Sequence, residues 1–93
     1  IFKKIDTIIS DIAANTTGNK KLDSFKTNSI CLDVLQFASE NLNSGGSVLS
    51  KYFNGELDKE IITFSRKNFN ISKVIKPKSS RKNSKEMYIF AQR

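Results

Sequence analysis

The chain has 93 residues, with 16 Lys or Arg against nine Asp or Glu and a formal charge of +7. That length holds one domain or less, and 38% apolar residues with seven Phe exclude a chain too polar to form a core. The single cysteine, Cys31, excludes an internal disulfide, the lack of histidine argues against a zinc site of the usual kind, and no apolar run approaches the roughly 20 residues that span a bilayer.

Ile5 to Ser10 reads Ile-Asp-Thr-Ile-Ile-Ser, short and β-branched, the pattern of a buried strand in a parallel sheet. Asp11 ends it. Ala13 to Asp23 is polar and reads as a loop, and Asp23 or Ser24 is placed to cap a helix running to about Asn41. Cys31, Val34, Leu35, Ala38 and Leu42 recur on one face of a 3.6-residue period, with Ile30 and Phe37 widening the stripe. On that stripe Cys31 reads as core. Asn43-Ser44-Gly45-Gly46 is expected to stop the helix and turn the chain.

A second strand is expected over Ser47 to Phe53, in which Tyr52 and Phe53 face opposite sides. Asn54-Gly55 is a turn signal. A helix from about Glu56 to Asn68 carries Leu57, Ile61 and Phe64 on one side, with acids first and Arg66 and Lys67 last, as suits the helix dipole. Phe69 to Ile75 reads as a third strand, Lys76 to Lys85 as a basic loop with the only proline, Pro77, and Met87 to Ala91 as a fourth strand. Strands joined by helices run parallel, and the last connection has no helix, so the fourth strand is expected to run antiparallel in an α/β sheet.

The positive charge is uneven. Lys73 to Arg93 hold seven basic side chains and one acidic one. Such a field suits a polyanion, RNA or DNA first, and an anionic membrane less well because the run lacks a helical period. A solvated face that only keeps the chain soluble stands beside those readings. No signal segment is visible, so the reducing cytoplasm is the expected compartment. The first residue is Ile, so a chain trimmed, processed or cut from something longer is expected.

The topology brings charges together. Asp11 lies at the carboxyl end of the first strand, Lys51 near that of the second, and Glu86 at the start of the reversed fourth. All three fall at the sheet edge where open α/β folds bind ligands, together with the basic loop. Two readings stay open here. Lys51 could form a structural salt bridge with Asp11 or Glu86, or the carboxylates could tune an amine beside a reacting hydroxyl.

At these residues the sequence resembles a known family. Ser10-Asp11-Ile12-Ala13-Ala14-Asn15-Thr16-Thr17-Gly18 is similar to a Ser-Asp-Met-Ala-Pro-Asn loop ending in Ser-Gly, with Ala14 where proline is usual. Gly45-Gly46-Ser47 followed by Lys51-Tyr52-Phe53-Asn54-Gly55 resembles a Gly-Gly strand ending in Lys-Val-Phe-Gln-Gly. Lys76-Pro77-Lys78-Ser79-Ser80-Arg81, then Ser84-Lys85-Glu86-Met87-Tyr88, resembles Lys-Pro-x-Ser-Ser-Arg and Ser-Arg/Lys-Glu-x-Tyr blocks. These are motifs of the FtsJ-like (RrmJ-type) ribosomal RNA large-subunit methyltransferases, and they agree in order and spacing over nearly the whole chain.

The resemblance implies an α/β fold: the C-terminal half of a Rossmann-like S-adenosylmethionine-dependent methyltransferase, a parallel sheet with an antiparallel last strand. Residues 1–93 would be a partial domain, the catalytic and RNA-facing half. The family uses a Lys-Asp-Lys-Glu tetrad, and Asp11, Lys51 and Glu86 match its last three members. Its first lysine, its Gly-rich loop and the acid that holds the donor ribose have no counterpart here. The implied reaction moves a methyl group from S-adenosylmethionine to a ribose 2'-OH, with uridine in large-subunit ribosomal RNA expected, and needs no metal. Lys51 would steer and activate the hydroxyl, with some neutral-amine character during the step, Asp11 would lie by the donor's methyl end and orient Lys51, and Glu86 would hold the amine or the hydroxyl. Lys76, Lys78, Arg81, Lys82 and Lys85 would neutralise phosphates, with Ser79, Ser80 and Ser84 as hydrogen-bond partners.

The implied partners are ribosomal RNA or the large ribosomal subunit and the absent donor-binding half. The resembling fold has a further strand outside the first one here. Without it an apolar edge with Ile5, Ile8 and Ile9 is open, so a partner half, self-association or marginal solubility is expected. Two rival readings remain: a non-catalytic RNA-binding fragment or degenerate half-gene product, and a structural subdomain of another α/β enzyme.

Overall fold

A computed structural model of the chain describes residues 5–12, 18–77 and 86–93. The elements are β1 (Ile5–Ser10), α1 (Lys20–Asn41), β2 (Leu42–Phe53), α2 (Asp58–Asn68), β3 (Ile71–Ile75) and β4 (Glu86–Gln92). They build a four-stranded sheet of order β1-β2-β4-β3. β1 and β2 are parallel, and β4 runs antiparallel to both β2 and β3. The reversed last strand therefore lies inside the sheet, between two strands that share a direction.

Side chains alternate across this sheet. Val48, Ser50 and Tyr52 of β2 and Ile89 and Ala91 of β4 are buried and meet Cys31, Leu35 and Ala38 of α1 and Ile61 of α2 in one core. Tyr52 is the largest fully buried side chain, and Leu35, Leu42, Ile61, Ile89 and Val48 follow. Burying each aliphatic side chain favours the folded state by about 1.5–3 kcal/mol before ordering entropy is counted. Leu49, Lys51 and Phe53 alternate with the buried residues of β2, and Tyr88 and Phe90 with those of β4, so they lie on the opposite face. Cys31 is core, and burial pushes its thiol up to about 11, leaving it protonated at neutral pH.

The largest departure from the sequence reading is the start of α1. The helix begins at Lys20 with Asn19 as N-cap, whose side-chain oxygen accepts the Leu22 N–H at 3.1 Å. Its buried stripe continues back from Leu35 and Cys31 through Asn28, Thr27, Ser24 and Asp23. The helical period is intact there, but polar residues carry it, so an apolar pattern misses it. In the other half Phe37 is 49% exposed and does not join the core.

Asn43 to Gly46 also differs from expectation. It opens β2 rather than forming a separate turn, and the register with β1 shifts between Ile5↔Leu42 and Thr7↔Ser47. Gly46 lies where backbones crowd. A Cβ there would meet the carbonyl oxygens of Asn43 and Asp6 at 3.0 Å. Arg93 clasps this corner from the other end of the chain. Its N–H donates to Gly46 O at 2.9 Å and its O accepts from Gly45 N at 3.0 Å. Its guanidinium donates to Ser39 O and Leu42 O, both at 3.0 Å. The last turn of α1 has no basic residue of its own, so Arg93 supplies the cation that the helix C-terminus favours.

At the other end of β2, Gly55 has φ +144°, and the Asp58 carboxylate accepts its N–H at 3.0 Å before α2 begins. α2 thus starts at Asp58, two residues later than the apolar spacing indicates. β3 starts at Ile71, because the N–H of buried Phe69 is still held by Ser65 O of the helix at 3.1 Å. Among the described residues no buried side-chain nitrogen or oxygen lacks a hydrogen-bond partner.

Replacing Gly46 with Ala places a methyl group against two backbone carbonyls, at 3.0 Å, that must shift to make room. We expect Gly46→Ala to cost about 1–3 kcal/mol of stability, read from urea unfolding midpoints. An unchanged midpoint would show that β1 and β2 separate freely at this corner.

Candidate functional site

Three strands deliver the site. The parallel register pairs Ser10 with Ser50, so Asp11, the first residue past β1, comes beside Lys51 of β2. In the antiparallel pair Lys51 faces Tyr88 and Phe53 faces Glu86. Lys51, Tyr88 and Glu86 thus share the sheet face away from the helices, and Asp11 closes over them from the end of β1.

The Lys51 ammonium lies 3.0 Å from the Asp11 carboxylate and 3.4 Å from the Glu86 carboxylate. The Tyr88 hydroxyl donates to the same Asp11 oxygen at 2.9 Å. The Lys51 side chain is only 12% exposed, whereas those of Asp11 and Glu86 are 64% and 47% exposed. The lysine stem is packed while its head meets two acids at the solvent rim, where an incoming molecule can reach all three. The three sequence-predicted residues come together as expected.

The hydrogen bond to Asp11 is the main cause that raises the Lys51 pKa, with Glu86 adding to it against the opposing effect of burial. In this resting arrangement Lys51 is therefore held as an ammonium. The hydrogen bond from Lys51, then that from Tyr88, holds the Asp11 carboxyl below its ordinary value of 3.8. Burial and the neighbouring Asp11 carboxylate push the Tyr88 phenol up, so it stays a donor. The linkage signs follow. Asp11 stabilises the fold fully above pH 3.8, and this is lost as pH falls through its lower native pKa. The Lys51 contribution is fully present below 10.5 and is lost as pH rises through its higher native value.

Beside Asp11, between β1 and α1, runs a groove of about 390 Å³ lined by Ile8, Ile12, Ile30, Val34, Phe37 and Asp33, among others. Its walls are mostly apolar with carboxylates along it. Lys76, just past β3, is exposed. Lys78, Ser79, Ser80, Arg81, Lys82, Ser84 and Lys85 lie outside the described residues, as do Asn15, Thr16 and Thr17. The described residues on either side of 78–85 flank the site, since Ile75 pairs with Tyr88, the neighbour of Lys51.

Sequence reasoning missed two participants. Tyr88 shares a strand face with Glu86, and that two-residue spacing was the available signal. Asn28 looked like an ordinary polar helix residue. It is fully buried and holds the backbone just beyond Lys51.

Comparison with known proteins adds a second line. The family model described as FtsJ-like methyltransferase matches residues 1–93. The chain is 43% identical over 91 residues to ribosomal RNA large subunit methyltransferase E of Pelagibacter ubique, covering 97% of this chain and 45% of that protein. It is 43% identical over 89 residues to the enzyme of that name from Francisella philomiragia, covering 96% of this chain and 43% of the relative. A crystal structure of a ribosomal RNA methyltransferase from Plasmodium falciparum superposes with TM-score 0.81 at 30% identity, over 97% of this chain and 47% of that one. The chain thus spans less than half the length of these relatives.

The Tyr88 hydroxyl can be removed without touching the ion pairs. In Tyr88→Phe, Asp11 loses one of the hydrogen bonds that lower its pKa. We expect its NMR titration midpoint to rise toward 3.8 while Lys51 stays charged. A midpoint unchanged from wild type would mean that Tyr88 does not hold Asp11 in solution.

Proposed function

The chain belongs to the FtsJ-like methyltransferase family, and from that premise we propose that it is the catalytic and RNA-facing half of an enzyme that methylates a ribose 2'-OH in large-subunit ribosomal RNA. Uridine is the nucleoside we propose, S-adenosylmethionine the donor and the cytoplasm the setting. The observation that carries the reading is the Lys51 ammonium, held by Asp11 and Glu86 at a rim that a polynucleotide can approach. No helix among the described residues is long and apolar enough to cross a membrane.

The residues present fit part of the donor. Asp11 offers an exposed carboxylate at the mouth of an apolar groove, which suits a cationic sulfonium on an otherwise largely uncharged body. When bound, the donor supplies an electrophilic methyl group. The side chains that would grip the rest of it belong to the part of the relatives' length that this chain does not span.

A ribose hydroxyl is a weak nucleophile and must shed its proton as the new O–C bond forms. As an ammonium, Lys51 donates to the hydroxyl oxygen and sets its line of approach, which is a positioning role. Asp11, if it also faced a cationic group, would share its carboxylate between that group and Lys51, which would weaken the main support for the charged amine and lower its pKa. This provides a route from the firmly charged resting lysine to the neutral amine that can accept the proton. Glu86 stays as the second anchor of the head group. Ribose specificity follows from the same contact, because DNA offers Lys51 no 2'-OH.

Lys76, Lys78, Arg81, Lys82 and Lys85, with Ser79, Ser80 and Ser84, are the groups we propose for the RNA backbone. The apolar rim made by Ile9, 71% exposed, Ile12, 57% exposed, and Phe37 is the surface we propose for the other half of the methyltransferase domain. Among the described residues β1 is the edge strand there, with one side open to a further strand.

In the complete enzyme, Lys51→Ala should lower single-turnover methylation by about a hundredfold or more while RNA affinity changes little. Near-normal methylation would remove Lys51 from the mechanism. The pH profile gives an independent check. Glu86 raises the Lys51 pKa, so in Glu86→Gln the rising alkaline limb of the rate should move to lower pH. A limb that stays put would show that the lysine does not lose the proton that limits the rate.

A further inference from the structure

Just beyond Lys51 the neighbouring strand stops. The last β1–β2 pair is Ser10↔Ser50, while β2 continues to Phe53. A side chain takes over at that point. Asn28 of α1 is fully buried. Its amide oxygen accepts the Phe53 N–H at 2.7 Å, and its amide nitrogen donates to Phe53 O at 2.8 Å and to Glu56 O at 2.7 Å. A primary amide offers the donor and the acceptor that a strand's peptide would have offered. It therefore satisfies the end of β2 and the following turn without a strand, leaving β1 free to depart at Asp11.

Phe53 is the register partner of Glu86. It also lies two residues after Lys51, on the same face of the sheet. Whatever fixes Phe53 fixes the backbone beneath both the amine and one of its carboxylates. We propose that Asn28 is a positioning residue of the site: its amide clamps the Phe53–Glu56 turn and thereby sets Lys51 against Glu86 at the point where β1 and β2 diverge. Aspartate would keep the bond from Phe53 N–H but set a carboxylate against two carbonyl oxygens, and alanine would leave all three backbone groups without this partner.

The value of the clamp for turnover rests on the reaction proposed above, but the positioning itself can be read without activity. In 15N-lysine-labelled chain near pH 6, the Lys51 ammonium should give a signal separate from those of exposed lysines, with slowed proton exchange. In Asn28→Ala, still folded by its amide spectrum, that exchange should speed up about tenfold or more. The control is Leu42→Val, a core truncation at the far end of β2, which should leave the signal in place. An unchanged Lys51 signal in Asn28→Ala, or an equal change in Leu42→Val, overturns the proposal.

If Asn28→Ala does not fold, wild-type protein decides the matter. Exchange of the Phe53 amide and of the Lys51 ammonium should then accelerate together along a urea series, as one opening event. Independent responses overturn the clamp. In the complete enzyme, Asn28→Ala should lower turnover at saturating RNA about tenfold or more with little change in KM, and turnover within twofold of wild type contradicts the proposal. A complete enzyme that transfers no methyl group would instead overturn the reaction and leave the lysine exchange to judge Asn28.

Discussion

The whole arrangement turns on one ammonium group held between two carboxylates at the end of a sheet. A lysine with most of its stem packed keeps its charge only if acids compensate for lost water. Here Asp11 and Glu86 do so from different strands, at 3.0 and 3.4 Å. The acids remain well exposed, so the lysine keeps its charge while the site stays accessible. A fully buried version would be sealed from substrate, and a fully exposed one would be screened and loosely held.

Strand geometry gives that contact its precision. A parallel pair delivers Asp11 and Lys51 in step, and an antiparallel pair delivers Glu86 and Tyr88 to the same face as Lys51. Placing β4 between β2 and β3 makes this feasible. If β3 had paired directly with β2, the strand that carries Glu86 would lie one position further from the lysine. The N-terminal half of α1 serves the same end from below. Its buried residues are polar because they face the turn where backbone groups need partners, whereas the later residues of the stripe face the aliphatic core.

The layering is one-sided. Both helices cover a single face of the sheet, while the opposite face carries Leu49 and Phe90, together with Ile75, 44% exposed. Such a sheet buries less apolar surface than one covered on both sides, so its stability margin is narrow. Family membership and the shorter span relative to the matched enzymes fit this geometry. Lys51, Asp11 and Glu86 meet at the ends of the described strands, and Ile9 and Ile75 beside them are exposed.

Local pattern alone determined much of this protein. The runs at Ile5–Ser10 and Ser47–Phe53, the apolar spacing of Leu57, Ile61 and Phe64, and the turn at Asn54-Gly55 set the order and type of the elements. Strand ends then placed Asp11, Lys51 and Glu86 at one rim, because periodicity and turn chemistry are properties of neighbouring residues. Tertiary structure decided what depends on distant partners. The first half of α1 is helical and buried although polar, since Asn28 bonds to backbone 25 residues away. Tyr88 joins the site through a hydrogen bond that spans 77 residues. Lys51 is held as an ammonium because two chain segments converge on it. Each of those three facts is a hydrogen bond or charge interaction between distant segments, and it exists only once those segments are side by side.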